Sequence, residues 1–147
     1  MSLYLGVWYQ IASIPNVYQK ECENSKAEYT LVPEGMKVRN VCMVNGEEVF
    51  ERTGLAWPSD HSDDGKFKLR FDPSPYQGQK DVGDYWVLWT DYYNYSIVGG
   101  PSREYLYILS RNKKVPSSEL QKISMFLKKS GYDLSEIVID PNTLTDA

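Results

Sequence analysis

The sequence predicts an all-β chain, a sandwich or a barrel of roughly eight strands, followed by one helix. Three observations carry that expectation. Short apolar or alternating runs recur about every 8–12 residues with turn signals between them, the spacing of an all-β sandwich or barrel. One run, 66–72 (KFKLRFD), alternates charged and apolar residues strictly, so Phe67, Leu69 and Phe71 share one face and the charges the other. After Arg111 the apolar period lengthens from two residues to that of a helix.

Residues 6–14 (GVWYQIASI) begin the series, and 26–33 (KAEYTLVP) run extended to the turn at Pro33-Glu34-Gly35. Residues 36–44 (MKVRNVCMV) lead to Asn45-Gly46, the favoured pair for a type I′ hairpin, and on into 47–57 (EEVFERTGLAW). The polar stretch 58–65 (PSDHSDDG) is a loop. The alternating run 66–72 follows, and the Pro/Gly-rich segment 73–83 makes a long connection. Three more β-rich runs occupy 84–91 (DYWVLWTD), 93–99 (YNYSIVG) and 104–110 (EYLYILS). A helix is expected over about 116–130, started by Pro116 and Glu119 with Ser117 or Ser118 as the cap. Leu120, Ile123, Phe126 and Leu127 give it one apolar stripe; Lys128 and Lys129 suit its last turn, and Ser130-Gly131 end it. Residues 136–139 (EIVI) read as a short final strand and 141–147 as a frayed tail. Neither a repeat nor a linker interrupts the chain, so 1–147 reads as a single domain.

The chain has 147 residues, enough for one sizeable core, and 41% of them are hydrophobic, which excludes a disordered chain. Sixteen Lys and Arg against twenty Asp and Glu give a net charge of −4, which argues against a nucleic-acid partner. No apolar run approaches the roughly 20 residues of a membrane-spanning helix. Aromatic residues make up 14%, with twelve Tyr and four Trp, a supply of flat apolar surface with polar handles that suits a core or a cavity wall. Two cysteines, Cys22 and Cys42, are too few for a disulfide-built miniprotein and lack zinc-site spacing. The first residues show no secretory leader, so the chain reads as cytosolic or as a mature domain whose leader was removed.

Eight antiparallel strands closed on themselves lose both sheet edges and enclose a space either filled by side chains or able to hold a small ligand. Facing favours closure. In 104–110, Tyr105, Tyr107 and Leu109 oppose Leu106 and Ile108, so both faces are apolar and the outer one needs the helix as cover. The inner lining is then Tyr29, Asn40, Phe71 and Tyr107, with Tyr85 and Trp89, which are wide aromatic walls carrying a few polar groups, as in small-molecule sites. The same residues would also serve as a packed core.

Catalytic chemistry is sparse. His61 lies beside Asp60, Asp63 and Asp64 in the polar loop, a set read as solvated, so no metal and no cofactor is expected. A lone, loop-borne histidine cannot assemble a Ser/His/Asp set. There is no phosphate-cradling glycine loop, and Glu28, Glu47, Glu48 and Glu51 give no sign of a tuned pair. A non-enzymatic protein is the expectation.

Three separated signatures carry a family resemblance: Gly6-Val7-Trp8-Tyr9 with Ile11-Ala12 and Pro15; Thr90-Asp91-Tyr92; and Arg111 closing 103–111 (REYLYILSR). The sequence resembles the lipocalins over about 135 residues, and within them the bacterial outer-membrane, plant temperature-induced and apolipoprotein D group. The resemblance implies an eight-stranded up-and-down barrel with Gly6, Trp8, Thr90, Asp91, Tyr92 and Arg111 around its closed end. There Trp8 would plug the floor and Arg111 stack on it, a cation–π contact worth about 0.5–2 kcal/mol. It also implies ligand contacts at Tyr29, Asn40 and Tyr107, where relatives usually carry Trp at the last position. Cys22 and Cys42 match a disulfide of bacterial relatives, which would close a loop of about 20 residues, add about 3 kcal/mol and imply an oxidising compartment.

The function expected is that of a carrier or store for one amphipathic, largely apolar ligand, such as a fatty acid or lysophospholipid. Its polar head would sit at the mouth, near the turn at Pro33-Glu34 and the segment 73–83. The runner-up is an interaction module with a filled barrel. A third reading, implied by a few lipocalin-like enzymes, makes Cys42 a cavity thiol. The expected location is secreted, periplasmic or outer-membrane-associated, with cytosolic as the alternative. A lipid anchor outside this chain and a homodimer are compatible partners of that reading.

Overall fold

Each run read as extended pairs with the next, and the last returns to the first. The computed structural model describes residues 2–14, 22–58, 65–72, 82–101 and 105–145. Strands β1 (Gly6–Ile14), β2 (Asn24–Val32), β3 (Gly35–Val44), β4 (Glu47–Pro58), β5 (Lys66–Asp72), β6 (Val82–Thr90), β7 (Tyr95–Gly99) and β8 (Leu106–Ser110) pair antiparallel in chain order. β8 then pairs with β1 from Tyr9↔Ser110 to Ile14↔Leu106, with an irregularity between Gln10 and Ala12. The result is a closed eight-stranded barrel, in which pairing of β8 with β1 removes the open edges that β1 and β8 would otherwise present. Asn45 and Gly46 both have positive φ (55° and 79°), as the type I′ hairpin between β3 and β4 requires.

The two faces of the barrel wall bury different things. Inward lie Tyr4, Trp8, Ala27, Tyr29, Met36, Val38, Ala56, Val98 and Leu109. Outward, Ile97, Leu106 and Ile108 pack under Leu120, Ile123 and Leu127 of α1 (Ser117–Lys129), together with Ala12 and Ile14. The helix therefore covers the outer apolar face of β7 and β8.

Several local expectations change. Pro116 is the residue that caps α1, with extended backbone and no side-chain hydrogen bond, in place of Ser117 or Ser118. Proline before the first turn costs nothing there, because the missing N–H would have had no intrahelical partner. Phe126 of the apolar stripe is 45% exposed: it sits at the edge of the face that meets the sheet. The tail is not frayed through residue 145, since β11 (Leu144–Thr145) pairs parallel with β9 (Val115–Pro116). The final strand is shorter than 136–139. Residues 134–136 form a 3₁₀ turn and only β10 (Val138–Ile139) pairs, with Ala12 and Ser13 of β1.

Register also settles which turns share an end. Gly6 pairs with Tyr29, so the chain beyond Tyr29, including the Pro33-Glu34 turn, projects past the start of β1 to the end that holds the 3₁₀ turn Ser2–Tyr4. In an up-and-down barrel successive connections alternate ends. The β3–β4 hairpin and the strand ends joined through 73–81 thus belong to the opposite end. The expectation that Pro33-Glu34 borders the mouth is corrected: that turn belongs to the floor.

Behind β10, Asp140 is only 9% exposed and accepts from Gln10 Nε2 at 3.1 and 3.3 Å, and it makes no ion pair among the described residues. Its N–H donates to Ile11 O at 2.8 Å and its carbonyl accepts from Thr143 Oγ1 at 2.7 Å, which ties the C-terminal segment to β1. Burial pushes its carboxyl up to about 6, against about 3.9 for an unfolded aspartate. The folded state therefore holds a proton that the unfolded chain has released, and stability falls as pH rises from about 4 through about 6. Asp140→Asn is expected to match the parent in stability at pH 4 and exceed it by about 2 kcal/mol above pH 7, read by urea melts across pH. A constant difference between the two proteins over that range would refute the assignment.

Candidate functional site: the barrel interior

The floor is built from local turns that the family-like residues enforce. Gly6 has φ +99°, and a Cβ there would sit 3.3 Å from Arg111 Nη1, so backbone strain and crowding both favour glycine. Trp8 is fully buried and its Nε1 donates to Tyr4 O at 2.9 Å. The Arg111 guanidinium carbon lies 3.7 Å from the Trp8 ring centroid. Its N–H groups donate to Leu3 O, Val7 O and Tyr92 O at 3.0–3.2 Å, which ties the 3₁₀ turn, β1 and the β6–β7 turn together.

That last turn is held by its own side chains. Thr90 Oγ1 donates to Tyr95 O and accepts from Tyr92 N, both at 2.9 Å. Asp91 Oδ1 accepts from the backbone of Tyr93, Asn94 and Tyr95 at 2.9–3.2 Å. Partial burial raises the Asp91 carboxyl, but the N–H groups of Tyr95 and Asn94 outweigh it and leave it below the usual range. Tyr92 takes φ +68°, the left-handed conformation that this tight link demands.

Above the floor, hydroxyls converge. Tyr4 OH meets Ser96 Oγ at 2.8 Å and Tyr85 OH at 3.2 Å, and Tyr85 OH also bonds Tyr29 OH. Their rings form a chain: Tyr4 to Tyr29 at 5.4 Å, Tyr29 to Tyr85 at 6.0 Å, Tyr85 to Phe67 at 6.5 Å. Burial pushes the phenols of Tyr29 and Tyr85 well above the usual tyrosine value, so both remain protonated.

Beside this cluster and above it the inner wall is less covered. Phe67, Leu69, Phe71, Tyr85, Val87 and Tyr107 pack against the inner cluster yet are only half-buried. Asn40 pairs with inward Ala27 and with Arg52, which places both on the inner face, and Arg52 lies 4.4 Å over the Phe71 ring. Burial pushes the Tyr107 phenol up to about 12.

The structure thus puts Tyr29, Asn40, Phe71, Tyr85 and Tyr107 on one inner surface. Trp89 departs from it. A register shift between Val87 and Trp89 inserts one residue into β6, so Trp89 pairs with outward Ile97 and is 41% exposed. Strict alternation from Tyr85 expected Trp89 inside; a bulge reverses the facing of everything after it. Arg52 and Tyr4 were missed. Arg52 carries a charge, which pattern reading sends outward, and Tyr4 lies before the first strand. The Asn40–Arg52 register and the 3₁₀ turn bring them in.

Cys22 and Cys42 form a disulfide, with Cα atoms 5.3 Å apart, at the β2–β3 edge of the upper barrel. The sulfur of Cys42 is therefore not a free nucleophile, which removes the thiol needed for the cavity-enzyme reading. His61 and its neighbouring aspartates lie outside the described residues, as does most of 73–83.

Comparison with known proteins agrees with this architecture. A family model described as a lipocalin-like domain matches residues 1–142. Temperature-induced lipocalin-1 of Arabidopsis thaliana is 37% identical over 147 residues, covering 97% of this chain and 78% of that protein. The outer membrane lipoprotein Blc of Vibrio cholerae is 30% identical over 138 residues, covering 92% of this chain and 78% of that protein. Among solved structures, insecticyanin of the tobacco hornworm Manduca sexta superposes with a TM-score of 0.72 at 22% identity, covering 98% of this chain and 85% of that one.

Proposed function

Because the chain belongs to the lipocalin-like family, we propose that its barrel carries or stores one small, largely apolar molecule, of the class of fatty acids, lysophospholipids and related lipids. Lipocalins generally bind small hydrophobic ligands. The observation that carries the reading here is the half-buried state of Phe67, Leu69, Phe71, Tyr85, Val87 and Tyr107 on an inward face. In a closed barrel, an inward side chain keeps accessible surface only where the space before it is unfilled.

Burial is the mechanism. Removing about 300 Å² of apolar ligand surface from water is worth roughly 7 kcal/mol before the costs of association. Tyr29, Asn40, Phe71, Tyr85 and Tyr107 supply the contacts, and Arg52 offers a cation on the upper inner face to an anionic head group held toward the mouth. The Cys22–Cys42 disulfide supports an oxidising location, secreted or periplasmic.

The test is titration with a fluorescent fatty acid while tryptophan quenching is followed. Saturable 1:1 binding at micromolar or better affinity is expected. No response would overturn the carrier reading in favour of a filled barrel that binds partners through its surface.

A further inference from the structure

We propose that the hydroxyl cluster at the bottom of the cavity receives an uncharged oxygen on the buried end of the ligand, so that this barrel favours lipids whose leading end carries a ketone, aldehyde, ester or hydroxyl. The inference rests on the carrier reading and specifies its ligand.

Proton counting leads to it. Ser96, Tyr4, Tyr85 and Tyr29 form an open chain of four hydroxyls joined by three contacts. Each hydroxyl has one proton to donate, and each contact uses one, so whichever way the chain is oriented one O–H is left without an acceptor within it. A buried donor left unpaired is costly, and the side chains of Phe67, Leu69 and Val87 packed beside the cluster carry no acceptor. The spare donor therefore selects for an acceptor delivered from the cavity. Tyr85, an inner link of the chain, is its only half-buried member and so the one that faces the less covered part of the barrel.

The charge of the incoming group is also constrained. One spare donor satisfies a carbonyl oxygen but leaves most lone pairs of a carboxylate bare in apolar surroundings, which is far more costly. The phenols also stay protonated through the physiological range, so they present donors and no counter-charge. A carboxylate is thereby sent to the mouth and a neutral oxygen to the bottom. Five residue steps along β5, about 16 Å of strand, lead from Phe67 at the level of the cluster to Asp72 at the mouth, a span a medium-length acyl chain bridges.

Dodecanoic acid and its analogue ending in a methyl ketone serve as probes, each competing with a bound fluorescent naphthylamine. They are compared on the parent and on Tyr29→Phe/Tyr85→Phe, which removes two bonded hydroxyls of the chain, that of the less covered Tyr85 among them, and keeps both rings. The double variant is expected to lower the ketone-to-acid affinity ratio about fivefold, with far-UV circular dichroism and the thermal melt as the folding control. The carbonyl stretch of the bound ketone should lie at lower frequency in the parent than in the variant. An unchanged ketone-to-acid affinity ratio, with both probes still binding saturably, would overturn this inference and leave the carrier intact. Failure of both probes to bind the parent would overturn the carrier reading, and this inference with it.

Discussion

Trp8→Ala is expected to lower stability by about 3–5 kcal/mol, the usual cost of emptying a large aromatic site, and to lower Tm by roughly 10 °C. Three losses coincide at this position. The fully buried indole leaves a void in the floor, within the buried cluster that also holds Met36, Val38 and Val98. Tyr4 O loses the N–H that holds the 3₁₀ turn over the barrel end. The Arg111 guanidinium, 3.7 Å from the ring, loses its aromatic face while remaining partly desolvated. Trp8→Phe keeps a ring beneath the guanidinium and gives up only the N–H and part of the volume, so about 1–2 kcal/mol is expected. Calorimetric melts of both variants make the check. A loss below 1 kcal/mol for alanine would mean that the floor repacks and that Arg111 is held by its three carbonyl contacts alone.

The second large effect is redox. The Cys22–Cys42 disulfide spans 20 positions, and the chain-entropy account assigns about 3 kcal/mol to a loop of that length. Reduction, or Cys22→Ser with Cys42→Ser, is expected to lower the urea midpoint by about 1.5 M for a slope of about 2 kcal/mol per M. The native hairpin itself needs no crosslink, since β2 and β3 pair along their length from Asn24↔Met43 to Val32↔Gly35. The loss should therefore appear as a shifted midpoint with native ellipticity preserved in the folded baseline. A midpoint unmoved by reductant would show that the denatured chain already keeps these segments together, so that the bond restricts little.

The placement of the inner wall shows how far residue pattern reaches. Alternation in 66–72 put Phe67, Leu69 and Phe71 on one side, and β5 presents that side inward. Opposed faces in β8 were equally legible: Tyr107 and Leu109 turn in, while Leu106 and Ile108 turn out beneath α1. Trp89 was not legible, because nothing in 84–91 marks the inserted residue that turns it outward. Arg52 was not legible either. Its inward position follows from pairing with Asn40, and a charged residue read alone is assigned to solvent. Phe126 and the segment 144–145 failed for a related reason: exposure of a stripe residue and pairing of a tail depend on what lies opposite them.

By themselves, the residues determined the strand series, the hairpin at Asn45-Gly46, the helix after Arg111 and the apolar identity of most inner positions. These follow from side-chain period and turn chemistry, which act over a few neighbouring residues. Tertiary structure alone decided the inward or outward sense past the β6 bulge, the end of the barrel to which each turn belongs, and the meeting of Tyr4, Tyr29, Tyr85 and Ser96. Those depend on register between strands far apart in the chain, where one inserted residue exchanges the two faces and no local signal records it.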